Sequence, residues 1–346
     1  FALLAYVSAW LKCHHPAEFL CALLNSQPMG FYSPSQLVQD AQRHGVRVLP
    51  VDVQASDVAA TIVPPAEDLP PFAPLTSAGQ APLTSSGALG SPRRGAGEGR
   101  LRDRQKAAEE PPGSVRLGLQ SISGLAQSAA ATVVGQRPAG GYASVADLAA
   151  RTGLAQRDLD ALAAAGALQR LAGHRRQAAW AAAGAAVQLD LLAAAAPQES
   201  APSLAAPSEG EDIVADYAST GLTLGRHPLG LLRERLAARR FLSAGELAGQ
   251  ADRALVRAAG IVTCRQRPGT ASGVVFLTLE DETGLANIVV YGRLADRQRR
   301  ELLGARLLGV LGQVQREGEV VHLVAGRLLD LSPWLGGLAT ASRDFH

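Results

Sequence analysis

The side chains with chemical potential in this 346-residue chain are arginines and turn glycines rather than acids, thiols or imidazoles. Asp and Glu are scattered, and no paired carboxylates fall on adjoining strand-like runs where they could hold two metal ions for phosphoryl transfer. Cys13, Cys21 and Cys264 are far apart, odd in number and without a CxxC pair. Neither a zinc ribbon nor a disulfide framework is expected, and a reducing cytoplasm fits. Cys13, His14 and His15 adjoin, but neighbours on a helix point apart, and the other histidines form no HxxxH pair. P-loop, GxSxG and dinucleotide fingerprints are missing from the sequence. No catalytic residue and no metal ligand is assigned. What remains is the chemistry of holding: glycine turns that free backbone N–H groups, and guanidinium forks that match phosphate.

The first such turn is Leu119-Gln120-Ser121-Ile122-Ser123-Gly124-Leu125, followed by a helix to about Val134. Gly124 permits positive φ, so the chain can reverse between two helices. N–H groups at the next helix start are then open to a phosphate, and Ser123, Gly124 and Leu125 are the candidate contacts. A second turn is expected at Ala165-Gly166-Ala167-Leu168, with Thr152-Gly153-Leu154 as a rival. Gly173-His174-Arg175-Arg176 then opens a helix and places two guanidiniums near its N-terminus. Tandem turns of this kind would grip phosphates without reading sequence. A small helical bundle with ordinary glycine C-caps fits the same pattern equally well.

The period changes after Ala254. Leu255–Cys264, Gly273–Glu280, Leu285–Tyr291, Leu307–Gln315 and Val320–Asp330 read as five strands. A tight turn, Asp281-Glu282-Thr283-Gly284, joins the second to the third, and a helix from Leu294 to Leu303 follows the third. That layout predicts an OB-fold barrel. Arg265, Arg267 and Gly269 fall in the loop expected between its first two strands, where this fold binds ligands. Phe276 and Tyr291 sit on the second and third strands, a stacking face for single-stranded bases. Phe276 alternates with Val275 and Leu277, so it either stacks a base or fills the core.

These elements must be carried by a chain of 47% hydrophobic and 18% charged residues with net charge +2. That is enough for two or three compact domains, and any basic surface must be local. Arg outnumbers Lys heavily, which a GC-rich coding sequence explains as readily as phosphate binding. The most apolar run, Ala178 to Ala196, contains Gln188 and Asp190 and reads as a soluble helix rather than a membrane span. The first residues, from Phe1, already lie in an apolar helical pattern without a Met, so a piece of a longer protein is expected. Pro16 and Pro34 open helices, with Ser33 a cap, and Val46 to Val53 alternates as a strand. The fold class predicted is multidomain α+β. Residues 1–62 are helical, and 63–113 form a Pro/Gly/Ser/Ala-rich linker carrying a basic cluster from Arg93 to Lys106. Residues 114–192 carry the tandem turns, 193–211 a second linker, 212–250 a helical connector, and 251–346 the barrel with a C-terminal tail.

Several runs resemble the C-family DNA polymerases, relatives of the bacterial polymerase III alpha subunit. They are Phe1 to Tyr6, Trp10 to Lys12, Pro16 to Phe19 and Leu23 to Asn25. More narrowly, Asn25 to Tyr32, His44 to Val46, Leu49 to Val53, Val115 to Leu119 and Thr220 to Pro228 resemble the error-prone, damage-induced branch. So do Arg265 to Thr270, Phe276 to Gly284 and Ser342 to His346. The resemblance implies the end of a fingers region, a tandem helix-hairpin-helix domain on duplex DNA, and an OB domain near the single-stranded template. It implies a parent nucleotidyltransferase whose magnesium-binding palm lies upstream, so this piece alone is expected to be inactive. It also implies translesion synthesis and DNA repair with an inactive Y-family polymerase partner and the sliding clamp. Two departures stand out. The 63–113 insert is longer than the family's connector, and the Trp usually following Ser56-Asp57 is missing. No clamp-binding peptide of the Gln-plus-aromatic kind is visible, so indirect clamp recruitment is expected. The alternative function is a protein-docking module whose barrel recruits translesion partners. A self-contained nuclease or ligase fragment is disfavoured by the missing acidic cluster.

Overall fold

The computed structural model describes residues 2–29, 32–64, 113–185, 202–269 and 273–338, and the backbone of 343–345. The basic cluster at 93–106, most of the first linker, residues 193–201 of the second, and Phe31 and Thr270 lie outside these residues. The chain divides into two compact units, one of Phe1–Leu49 and Ala60–Arg116, the other of Pro50–Ala59 and Leu117–His346.

In the first unit, α1 (Ala2–His14), α2 (Pro16–Asn25) and α3 (Pro34–Arg43) accompany a small sheet. Pro16 and Pro34 stand in first turns, where a missing N–H costs nothing. Ser33 caps α3 in a capping box with Gln36. The sheet order is β1 (Val48–Leu49), β3 (Ser114–Arg116), β2 (Thr61–Val63), with β1 parallel and β2 antiparallel to β3. The strand expected over Val46–Val53 shortens to two residues, because Pro50 has no N–H to continue the ladder. Val115 and Arg116, expected at the head of a helical domain, are strand.

The second unit begins with a 3-10 turn, Leu119–Ser121, and then α4 (Gln127–Gly135), α5 (Val145–Thr152), α6 (Gln156–Ala164), α7 (Gln169–Ala172) and α8 (Arg175–Ala185). Leu119, Leu148, Leu159, Leu162 and Leu168 are fully buried among them. Three further helices follow: α9 (Glu209–Thr220), α10 (Pro228–Ala238) and α11 (Ala244–Ala248).

The barrel strands are β4 (Leu255–Gln266), β5 (Val275–Asp281), β6 (Gly284–Val290), β7 (Leu307–Glu317) and β8 (Val320–Asp330). Their order, β5-β6-β8-β7-β4, closes through direct pairing of β4 with β5. β6 and β8 run parallel, and the other barrel pairs are antiparallel. This is the predicted five-stranded OB-type barrel. Between β6 and β7, the expected helix appears as two short ones, α12 (Gly292–Arg297) and α13 (Arg299–Gly304). A short β9 (Arg343–Phe345) adds in parallel to β4. Leu277, Leu279, Ile288, Leu308 and Leu323 fill the interior. The β5–β6 turn is organised by Asp281, whose Oδ1 accepts from the Thr283 N–H at 2.8 Å, the Thr283 hydroxyl at 2.6 Å and the Gly284 N–H at 3.1 Å.

Candidate nucleic-acid interface

Two turns of the second unit share four of five residues, a left-handed glycine and an alanine cap, although Gly153 ends α5 and Gly124 follows only a 3-10 turn. Ser123-Gly124-Leu125-Ala126-Gln127 leads into α4, and Thr152-Gly153-Leu154-Ala155-Gln156 leads into α6. Gly124 has φ 81° and Gly153 φ 60°, in the left-handed region where a Cβ is strained. The two cap residues superpose in conformation: Ala126 at φ −68°, ψ 141° and Ala155 at φ −66°, ψ 151°. Neither cap has a side chain able to accept a hydrogen bond. The first two amides of each helix have no acceptor within their own helix and are open to an outside one, while at α6 the third, the Asp158 N–H, turns back to the Ala155 carbonyl at 2.9 Å. At the first turn, the Ser123 N–H is already taken by the Ser219 carbonyl at 2.7 Å. The Asp158 carboxylate accepts from the Ala126 N–H at 3.3 Å. The open groups there are the exposed Gly124 turn and the amides of Gln127 and Ser128 beyond it, with Leu125 half-buried beneath.

Gly166 also has positive φ, 74°, but its joint differs. It leads into the four-residue α7, and the Arg175 guanidinium lies 3.2 Å from where a Cβ would be. The geometry favours Gly153, the rival in the sequence reading, as the partner of Gly124. The repeated Ser/Thr-Gly-Leu-Ala-Gln pattern was the signal that could have chosen it.

The two arginines expected to stand free at the start of α8 are occupied. Arg175 is largely buried and bonds the Asp212 carboxylate at 2.8 Å, the Asp212 carbonyl at 3.0 Å, and the Asp216 carboxylate. Burial pushes the Asp212 carboxyl above the usual range, with Arg175 pulling it down. Arg176 bonds Glu211 at 2.5 Å and the Ala205 carbonyl at 3.2 Å. Hydrogen bonds from the Ser208 N–H and hydroxyl hold Glu211 below the usual carboxylate range, with Arg176 adding to the effect. These guanidiniums tie α8 to α9 and the segment before it.

Arg265 requires a correction too. It lies on β4, not in a loop, and is buried. Its Nε donates to the Leu302 carbonyl at 2.8 Å and its Nη2 to the Ala305 carbonyl at 2.5 Å, closing the end of α13. A register shift between Val262 and Cys264 explains the inversion. A bulge inserts one residue and flips the alternation, so Arg265 turns inward where unbroken pleating would point it out.

Arg267 and Gly269 are in the expected loop and exposed. Phe276 faces out at 37% exposure while Val275 and Leu277 face in, so it is not core. Tyr291, 53% exposed, follows Val290, the register partner of Val275. That step places it on the outer face, diagonal to Phe276, at the spacing where aromatic side chains share a surface. Gln266, the β4 partner of Phe276, leads directly to Arg267. Two exposed rings and a loop cation thus meet at one end of the barrel.

A family model described as a helix-hairpin-helix motif matches residues 45–178. Error-prone DNA polymerases are similar to the chain over its whole length: 60% identity in Azoarcus sp. (strain BH72) and 55% in Dechloromonas aromatica (strain RCB). The chain belongs with the error-prone DNA polymerases. It spans 29% of the length of each of these two relatives. A solved asparaginyl-tRNA synthetase from Pyrococcus horikoshii resembles 26% of the chain, and 23% of its own, at 22% identity, with a TM-score of 0.23, too low to support any inference. In this error-prone polymerase segment, no group of three His, Cys, Asp or Glu among the described residues could hold a metal ion. No described helix is long and apolar enough to cross a membrane.

Proposed function

We propose that this chain is the DNA-holding part of an error-prone polymerase acting in translesion synthesis and DNA repair in the cytoplasm. The observation that carries the reading is the pair of turns at Gly124 and Gly153, alike in sequence, φ and uncapped helix start. Each would offer backbone amides to a phosphate of the primer-template duplex, without contact to base edges and so without sequence preference. The barrel would take the single-stranded template, one base stacking on Phe276 and one on Tyr291, with Arg267 beside them. Such stacking contributes about 1–3 kcal/mol per base.

Nucleotidyl transfer, and the magnesium it uses in the parent enzyme, belong in this reading to carboxylates outside the chain. In this reading the chain's own residues bind and orient DNA. The sliding clamp, reached indirectly, and the inactive Y-family polymerase are the proposed protein partners.

Fluorescence anisotropy with labelled primer-template and single strands tests the reading. Binding should be sequence-tolerant and weaken steeply with salt. No binding of either substrate at low salt would remove it. Arg267→Ala should weaken single-strand binding; intact DNA affinity with lost capture of the Y-family partner would favour the docking alternative.

A further inference from the structure

The short helices α12 and α13 carry Arg293, Arg297, Arg299 and Arg300, all exposed. Among the described residues, none of these four guanidiniums has an ion pair or hydrogen bond. Elsewhere in the second unit Arg151, Arg170, Arg175, Arg176, Arg226 and Arg233 each pair with a carboxylate, while Arg157, Arg240, Arg267 and Arg327 are exposed and scattered. Among the described residues, only α12 and α13 gather four such arginines within eight residues. The same two helices hold only Asp296 and Glu301 as acids, and neither is within ion-pair distance of the four.

The helices are firmly seated. Leu294, Ala295 and Leu302 are buried. Gln298, between them, donates to the Leu328 carbonyl at 2.9 Å and accepts from its N–H at 2.8 Å. The arginines therefore stand on a fixed support, on the side away from the barrel. The support starts at Tyr291, which is the cap residue of α12. Arg293 and Arg297 lie one turn apart on α12, roughly 6 Å along its axis, and Arg299 and Arg300 open α13 just beyond the break at Gln298.

We propose that Arg293, Arg297, Arg299 and Arg300 form a phosphate-binding edge that holds the backbone of single-stranded DNA as it leaves the Phe276–Tyr291 platform. The inference rests on the platform reading and extends it. The rings take bases, while guanidinium forks take the next phosphates, which exposed and unpaired arginines suit better than arginines committed to carboxylates. No base edge is read, so the edge lengthens the site without adding sequence preference.

The test uses the full chain and oligo-dT strands of about five and about fifteen nucleotides, spanning the range of single OB-domain sites. The long strand should bind the unmodified chain more tightly. In R293A/R297A/R299A/R300A that gain should fall about tenfold, and the log–log salt slope should shrink by about 2, as for three lost single-strand phosphate contacts. Short-strand binding and the thermal midpoint should hold. R297E/R300E should lose the gain in the same direction with only two exposed changes. Unchanged long-strand affinity and slope in the quadruple variant would overturn the edge while leaving the platform standing. If F276A/Y291A keeps long-strand binding and the arginine variant loses it, the edge stands and the platform fails. If the unmodified chain binds neither strand, both fall together.

Discussion

The helical hairpins and the barrel of the second unit offer phosphate two different surfaces. At the hairpins the open groups are backbone amides, and the nearby cations Arg175 and Arg176 are consumed internally. At the barrel the open groups are side chains, two aromatic rings, Arg267 and the arginines of α12 and α13. The difference teaches that an arginine's position in a sequence says little about its availability. Availability depends on whether a carboxylate from elsewhere reaches it, and for Arg175 the partners arrive 37 and 41 residues later.

Breaking the internal set should cost stability and spare binding. Arg175→Ala strips Asp212 and Asp216 of their cation, and we expect a loss of about 2–3 kcal/mol in urea unfolding. That is below the cost for a fully buried pair because Asp212 stays partly exposed. Single-strand affinity should not move. Arg265→Ala frees the buried carbonyls of Leu302 and Ala305 and should cost about 2 kcal/mol. Its DNA affinity at a temperature where it is folded should match the unmodified chain, in contrast to Arg267→Ala.

The hairpin surface is sharpened by Gly153→Ala and Gly124→Ala, each expected to cost about 1 kcal/mol for a left-handed alanine. Their distinctive effect should be weaker duplex binding with unchanged single-strand binding. The smallest effect is expected at Glu246, held below the usual carboxylate range by hydrogen bonds from the Ser243 N–H and hydroxyl. A lowered folded value means its contribution is present above the ordinary glutamate pKa of about 4.3 and is lost as pH falls through the folded one. Unfolding stability followed between pH 5 and pH 3 (about one unit either side of that range) should therefore decline less in Glu246→Gln.

The barrel could be read in the sequence because five strand-length apolar runs follow Ala254, β5 and β6 alternate along much of their length, and Asp281-Glu282-Thr283-Gly284 marks a turn. Four of the ten strand boundaries coincide with those expected, at Leu255, Leu307, Val320 and Asp330, and the others differ by one or two residues. Arg265 was misplaced because a bulge is a non-local decision: the β5 partner sets it, and nothing in Val262-Thr263-Cys264 announces it. Phe276 was left open between core and surface, since alternation gives two faces without saying which is inside. The first hairpin, at Gly124, was visible from its glycine and apolar flanks. The second was blurred by three glycines of similar context, Gly153, Gly166 and Gly173, all of which take positive φ. The arginines of α12 and α13 stand out only after the pairing of the others is known.

The most direct test of the two-surface account is a crossed binding measurement. Gly124→Ala/Gly153→Ala and Phe276→Ala/Tyr291→Ala are each titrated with a blunt duplex and with oligo-dT, with thermal unfolding as the check on folding. The account predicts that the glycine pair loses duplex affinity and keeps oligo-dT, while the aromatic pair does the opposite. Equal losses on both substrates for either pair would contradict it.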